Sequence, residues 1–210
     1  YGLVGSEMCI RDSSYFENFP GIGARQARRF AFHILTLPPE EAAELSSLVG
    51  GIQSSVTECS SCRRFFAKNA SGSDTCEICA DSSRDRSKLL VVERDTDIRS
   101  IERSGVYDGL YFVLGGTVPL LESRENKKLR GGGFKRIVET RLSEGLREVI
   151  LGFSVNPDGE NTGRFVESII KEIPSADGIK VSHLGRGLST GSELEYADPE
   201  TLKNALQNRY

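Results

Sequence analysis

Four of the five cysteines fall as Cys59-x2-Cys62 and Cys76-x2-Cys79, with 13 residues between the pairs. Each x2 pair sets two thiolates on one tight turn, and two such turns close a tetrahedral site of the kind zinc prefers. All four ligands come from the protein, so no position is left open for water. The expected role is structural, with the metal supplying folding energy to a segment that has little core of its own. A redox pair or four unconnected thiols is the competing reading. Arg63, Arg64, Lys68, Arg84 and Arg86 surround the cysteines, but Asp74, Glu77, Asp81 and Asp85 offset them. This segment is therefore not read as a nucleic-acid patch.

A second group lies earlier. Pro20-Gly21-Ile22-Gly23 breaks the chain sharply, and Arg25, Arg28 and Arg29 follow at helical spacing. From Asn18 to Pro39 there are three arginines and no acidic residue. Glycines let the backbone turn tightly and approach a partner closely. The amides and dipole at the start of the next helix favour a phosphate. The string resembles a helix-hairpin-helix, a sequence-independent DNA-binding element. Gly21, Gly23, Arg25, Arg28 and Arg29 are its candidate DNA contacts. A tight helix–helix turn beside a solvated arginine face is the alternative.

The third group is acidic. Glu93 ends an apolar run, and Asp158 and Glu160 follow another in Asn156-Pro157-Asp158-Gly159-Glu160. Ligands of open parallel sheets bind beyond the carboxyl ends of strands, and three carboxylates there suit Mg²⁺. The pattern resembles a Toprim domain, with Glu in place of the second Asp of its later acidic pair. The alternative is that Asp158 and Glu160 sit at a turn and a helix N-terminus, favoured by the dipole.

The elements that must position these groups follow from periodicity. Ala27, Phe30, Ala31, Ile34 and Leu35 make one helical stripe over about 24–37. A helix over about 39–49 is read as ending at Gly50-Gly51. Residues 57–88 lack periodicity. Strands are expected at Leu89–Val92, Leu110–Leu114, from Val149, and at Lys180–Leu184. Helices are expected between them, to about Ser104, over about 133–144 and over about 160–172, with Asn156–Gly159 as a turn. Asp198 reads as the N-cap of a last helix with Pro199 at its first position. Alternating strand and helix make this half α/β with a mainly parallel sheet. Arg124, Lys127, Lys128 and Arg130 cluster in the polar stretch 117–130 and are either further DNA contacts or a solvated loop.

Composition narrows the classes. The chain has 210 residues, 38% hydrophobic and 27% charged, which suits a folded domain or two and excludes a disordered chain. No apolar run is long enough for a membrane helix, and no secretory signal is read. A reduced, cytoplasmic compartment is expected from the cysteine usage. The formal charge is −3, so any DNA surface must be a local patch. Residues 1–13 show no periodicity and read as a non-native or disordered tail, which takes Cys9 out of the ligand set. His33 and His183 lack a nucleophile partner and read as structural.

The strings PGIGARQARRFAFHIL, C-x2-C…C-x2-C, LLVVERDTDIRSIERSG, YFVLGG, VNPDGENT and VSHLGRGLSTGSELEYADPETLKNAL together resemble the RecR family of bacterial recombination mediators. The family form N-P-x-x-E-G-E-x-T is shortened here to N-P-D-G-E-N-T. The resemblance implies an N-terminal helix-hairpin-helix region at 14–56 and a zinc finger at 57–87. A Toprim-like α/β domain at 88–184 and a C-terminal segment at 185–210 complete it. It implies a non-catalytic, nucleoid-associated DNA-binding scaffold acting with RecO, and in many bacteria RecF, to load RecA on gapped or single-stranded DNA. It also implies homo-oligomeric rings, often tetramers, able to encircle or clamp DNA. The stretch Gly187–Asp198 resembles the family's Walker-B-like segment, but no phosphate-binding G-x-x-x-x-G-K-[ST] loop occurs. The rival reading is a Mg²⁺-dependent Toprim nuclease using Glu93, Asp158 and Glu160 for phosphoryl transfer.

Overall fold

The computed structural model describes residues 13–68, 72–120, 129–185, 187–188, 191, 195, 197 and 199–207. Asp198, Arg124, Lys127, Lys128 and Cys9 lie outside them. The chain divides into two compact units at Val56.

The first unit is helical. Residues 13–17 form a short helix, Gly21 turns the chain at φ +79°, and α1 spans Ala24–Thr36. The periodic stripe of α1 is only partly buried: Ala27 and Ala31 are enclosed, whereas Phe30 and Leu35 face solvent. Helix α2 spans Pro39–Ser55, with Glu40 and Glu41 in its first turn. It runs through Gly50-Gly51 rather than stopping there. Neither glycine takes a positive φ, and a mid-helix glycine costs only about 1 kcal/mol. The helix ends where Val56 turns extended to begin β1.

The second unit is built around a parallel sheet. Its first part is a two-stranded sheet of β1 (Val56–Glu58) and β2 (Phe65–Ala67), followed by the short α3 (Glu77–Ala80). Then come β3 (Asp85–Val92), α4 (Asp95–Ser104), β4 (Gly109–Val113), α5 (Gly131–Ser143), β5 (Glu148–Gly152), α6 (Pro157–Lys171), β6 (Lys180–His183) and α7 (Pro199–Gln207). The four long strands lie in the order β4-β3-β5-β6, all parallel. The expected α/β class is therefore the observed one: a helical start, then a parallel sheet with flanking helices.

Continuous apolar runs give this sheet two buried faces. Leu89, Val91, Leu110, Phe112, Val149 and Leu151 pack with Phe134 and Val138 of α5 and with Val166, Ile169 and Ile170 of α6. The alternate residues Leu90, Val92, Tyr111 and Val113 pack with Ile98 of α4 and with all four paired cysteines. The cysteine module thus covers sheet surface that a helix covers in many α/β folds. Strand β3 begins four residues before its apolar run, because Asp85 pairs with Gly109 across a register shift.

Candidate functional sites

The four cysteines are brought together. One ligand atom from each of Cys59, Cys62, Cys76 and Cys79 lies within 4.8 Å of the others, and all four are buried. Among the described residues this is the one group of three or more such side chains so gathered. The first turn is closed by the Arg63 amide donating to the Cys59 carbonyl at 3.0 Å and the Cys59 amide donating to the Arg64 carbonyl at 2.8 Å. Arg63 takes φ +65°, a left-handed conformation that a non-glycine residue holds only when its surroundings enforce it. The Ser60 amide donates to the Asp74 carbonyl, stitching the first turn to the second.

The donor set fits a tetrahedral metal. Cys62 Sγ and Cys76 Sγ are 3.6 Å apart, against about 3.8 Å for two thiolates at Zn–S bond lengths. The Cys76 amide also points at Cys59 Sγ, 3.4 Å away. The crowded sulfurs distort one another's acidity. Hydrogen bonds from Cys62, Cys76 and Cys79 draw the Cys59 thiol down, and the contact with Cys59 pushes Cys62 and Cys79 up. Cys76 is raised by Cys59 but lowered by Cys62 and Cys79, and comes to about 7. A divalent cation held by the four sulfurs would take the place of these shared protons.

The charges around the cysteines are mostly paired off. Arg63 meets Glu58, Arg64 meets Glu77, Arg86 meets Glu144, and Arg84 meets Glu102. Glu102 also accepts a hydrogen bond from the Tyr111 hydroxyl at 2.6 Å. Burial raises the Glu102 carboxyl, but Arg84 and Tyr111 overcome it and hold the group below its usual range.

The glycine hairpin places its basic residues in the open. Gly21, Gly23, Arg25, Arg28 and Arg29 are all exposed. Gly23 is the N-cap of α1, with no side-chain cap and no acidic residue in the first turn. Arg28 Nε donates to the Ala24 carbonyl at 3.2 Å and Arg29 reaches Gln26 at 3.5 Å, both within the helix. No carboxylate is paired with any of the three among the described residues. The start of α1 is therefore a positively charged, solvent-facing surface without a side-chain cap.

The acidic residues are arranged otherwise. Sheet order reverses between β3 and β5, and the crevice beyond that switch point is where such sheets hold ligands. Here Glu93, 8% exposed at the end of β3, accepts a hydrogen bond there from the Ser154 amide at 2.6 Å. Asn156-Pro157-Asp158-Gly159 is the N-cap and first turn of α6, not a separate turn. The Asn156 side chain caps the Gly159 amide at 2.8 Å, and Pro157 takes the first helical position. Asp158 and Glu160 both fall in that first turn, and Asp158 accepts from the Leu120 amide at 3.0 Å. Thr162 bonds the Val118 amide, and Asn161 bonds the Val118 and Pro119 carbonyls. The start of α6 thus ties down residues 118–120. Glu93, Asp158 and Glu160 are not gathered into one metal-ready set.

Two arginines were not legible as site residues. Arg130, expected in a basic loop, turns inward. It donates to the Arg63 carbonyl at 2.8 Å and the Val113 carbonyl at 3.2 Å, and pairs with Glu58 at 2.7 Å. Arg141 is 5% exposed and donates to Ser61 Oγ at 2.6 Å. Its signal was its place at i+7 from Phe134 and i+3 from Val138, on the buried face of α5.

The fold and these sites define a protein that joins a helix-hairpin-helix to a four-cysteine module and a Toprim domain. Family models match the first and last of these parts and the segment that follows: RecR helix-hairpin-helix over residues 14–50, Toprim domain over 87–185, and RecR C-terminal over 187–210. The chain belongs to the RecR family. It is 41% identical over 190 residues to the recombination protein RecR of Rubrobacter xylanophilus, covering 90% of this chain and 89% of that one. It is 36% identical over 196 residues to the recombination protein RecR of Lactobacillus johnsonii, covering 92% of each. With that of Chloroflexus aggregans it shares 38% over 196 residues, covering 92% and 89%. Family membership supports a role in recombinational repair. Among the described residues no helix is long and apolar enough to cross a membrane.

Proposed function

We propose that this protein is a non-catalytic DNA-binding scaffold of recombinational repair. The observation that carries the reading is the exposed, uncapped start of α1, with Arg25, Arg28 and Arg29 beside Gly21 and Gly23. Phosphates bind there through arginine side chains and helix amides, so binding is distributed and indifferent to sequence. In the cell, in the cytoplasm at the nucleoid, the scaffold acts with RecO and RecF to help load RecA on gapped or single-stranded DNA.

The metal is zinc and its role is structural, held by Cys59, Cys62, Cys76 and Cys79. Such a metal supplies folding energy and no chemistry at the DNA. The working parts are the helix-hairpin-helix region at 14–56, the zinc finger at 57–87, the Toprim-like domain at 88–184 and the C-terminal segment at 185–210. The protein works as a homo-oligomeric ring, a tetramer. Its first unit supports self-association: Tyr15, Phe19, Phe32, Leu35, Leu48, Val49 and Ile52 are each more than half exposed. Large apolar side chains left exposed along these helices support an interaction surface there.

Mg²⁺ catalysis at Glu93, Asp158 and Glu160 is the reading disfavoured by the internal hydrogen bonds of Glu93 and Asp158. The test is binding of gapped, single-stranded and duplex DNA over a range of salt. Affinity that falls steeply and log-linearly with salt on all three DNAs supports the scaffold. Affinity that is absent, or flat with salt, contradicts it.

A further inference from the structure

Helix α5 sends two arginines to the first cysteine turn. Arg130, at its start, reaches the Arg63 carbonyl and Glu58, and its guanidinium lies 5.6 Å over the Phe65 ring. Arg141, three turns on, reaches Ser61, which lies between Cys59 and Cys62. The same turn meets the edge strand β4, where the Val113 amide donates to the Cys62 carbonyl at 2.8 Å. Arg130 also bonds the Val113 carbonyl, and its own amide donates to the Leu114 carbonyl.

The charge balance around Arg141 is incomplete. It is almost fully buried, and among the described residues its one ion-pair carboxylate is Glu144 at 3.5 Å and its Nε has no hydrogen-bond partner. A buried cation so placed is costly without a counter-charge. Four thiolates around a divalent cation carry two net negative charges, and the turn that Arg141 grips holds two of those thiolates.

Resting on the reading of the cysteines as a metal centre, we propose that Arg130 and Arg141 are its outer partners, coupling metal occupancy to the packing of α5 and the edge of β4. The arginines stabilise the charged, metal-loaded centre. By reciprocity the loaded centre stabilises the elements that carry them. Both are positioning residues, acting on the ligands through Ser61, Cys62 and Arg63.

The test uses the full chain and Zn²⁺ in competition with a chromophoric chelator. Arg141→Met is expected to bind Zn²⁺ about 10–100-fold more weakly, the usual effect of losing an outer partner, and Arg141→Lys to recover part of the loss. Val138→Ala, on the same helix and fully buried, lowers stability but leaves Zn²⁺ affinity within about twofold if the effect is charge rather than packing. Hydrogen exchange of the parent protein gives a second readout that needs no variant. Chelation is expected to speed exchange at the Val113 and Arg130 amides. Arg141→Met binding Zn²⁺ as tightly as the parent, or exchange unchanged on chelation, overturns the coupling. A parent protein that binds no Zn²⁺ at all overturns the metal reading beneath it.

Discussion

The start of α1 and the start of α6 are both helix N-termini beside glycines, and they spend their polar groups in opposite ways. At α1 the cap is Gly23, the first turn holds no acid, and three arginines face solvent. At α6 the cap is Asn156, the first turn holds Asp158 and Glu160, and Asp158 receives the Leu120 amide. Glu93, across the sheet switch point, receives the Ser154 amide. One end leaves donors and positive charge for a partner. The other uses its acceptors to hold its own chain. The difference teaches that two helix starts in one chain can be fitted out oppositely: the arginines at α1 face solvent, whereas Glu93 and Asp158 each already accept a backbone amide.

The comparison predicts a separation of stability from DNA binding. The largest stability effect is expected at Gly159. A Cβ there would stand 1.9 Å from the Ser154 carbonyl oxygen, so Gly159→Ala should destabilise by about 3 kcal/mol, the upper end for overpacking, read by denaturant unfolding. Glu93→Ala removes a charged acceptor and should cost about 2 kcal/mol. DNA affinity at a temperature where the variant is folded should be unchanged. Asp158→Asn loses a charge near the helix N-terminus and should cost about 0.5–1 kcal/mol. Arg25→Glu with Arg29→Glu should shift stability by no more than about 0.5 kcal/mol, yet lower the slope of log affinity against log salt by about two. The comparison breaks if Glu93→Ala weakens DNA binding at constant stability, or if the double arginine variant leaves the slope as it was.

Acid sharpens the picture from a third region. The Glu102 carboxyl is depressed in the folded protein chiefly by Arg84, against the opposing effect of its burial. A depressed acid contributes stability above its unfolded value and loses it as pH falls through the folded one. Glu102→Gln should therefore narrow the stability gap between neutral pH and pH below the usual glutamate range, as seen in thermal melts at each pH.

Much of this was legible in the residues themselves. Apolar runs such as Leu89–Val92 announce strands buried on both faces, and the doubled Cys-x2-Cys spacing announces a gathered set of sulfurs. Other features were not legible, for physical reasons. Gly50-Gly51 tolerates the right-handed conformation as readily as the left, so its presence cannot end a helix by itself. Asn-Pro-Asp-Gly suits a turn, but it equally suits a cap followed by a first helical turn, and only the Gly159 amide bonded to Asn156 decides. Arg130 sits in a basic run on the page, yet its neighbours in space are two carbonyls and Glu58. The spacing of Glu93 from Asp158 along the chain says nothing of which amides reach them first.

The most direct measurement mixes metal-loaded protein with gapped DNA, with and without Mg²⁺, and reads band shift and strand cleavage on one gel. The account predicts a salt-sensitive shift, weakened by Arg25→Glu with Arg29→Glu, and intact DNA in every lane. Mg²⁺-dependent cleavage that Glu93→Ala abolishes would contradict it and make the acids beyond the ends of β3 and β5 catalytic.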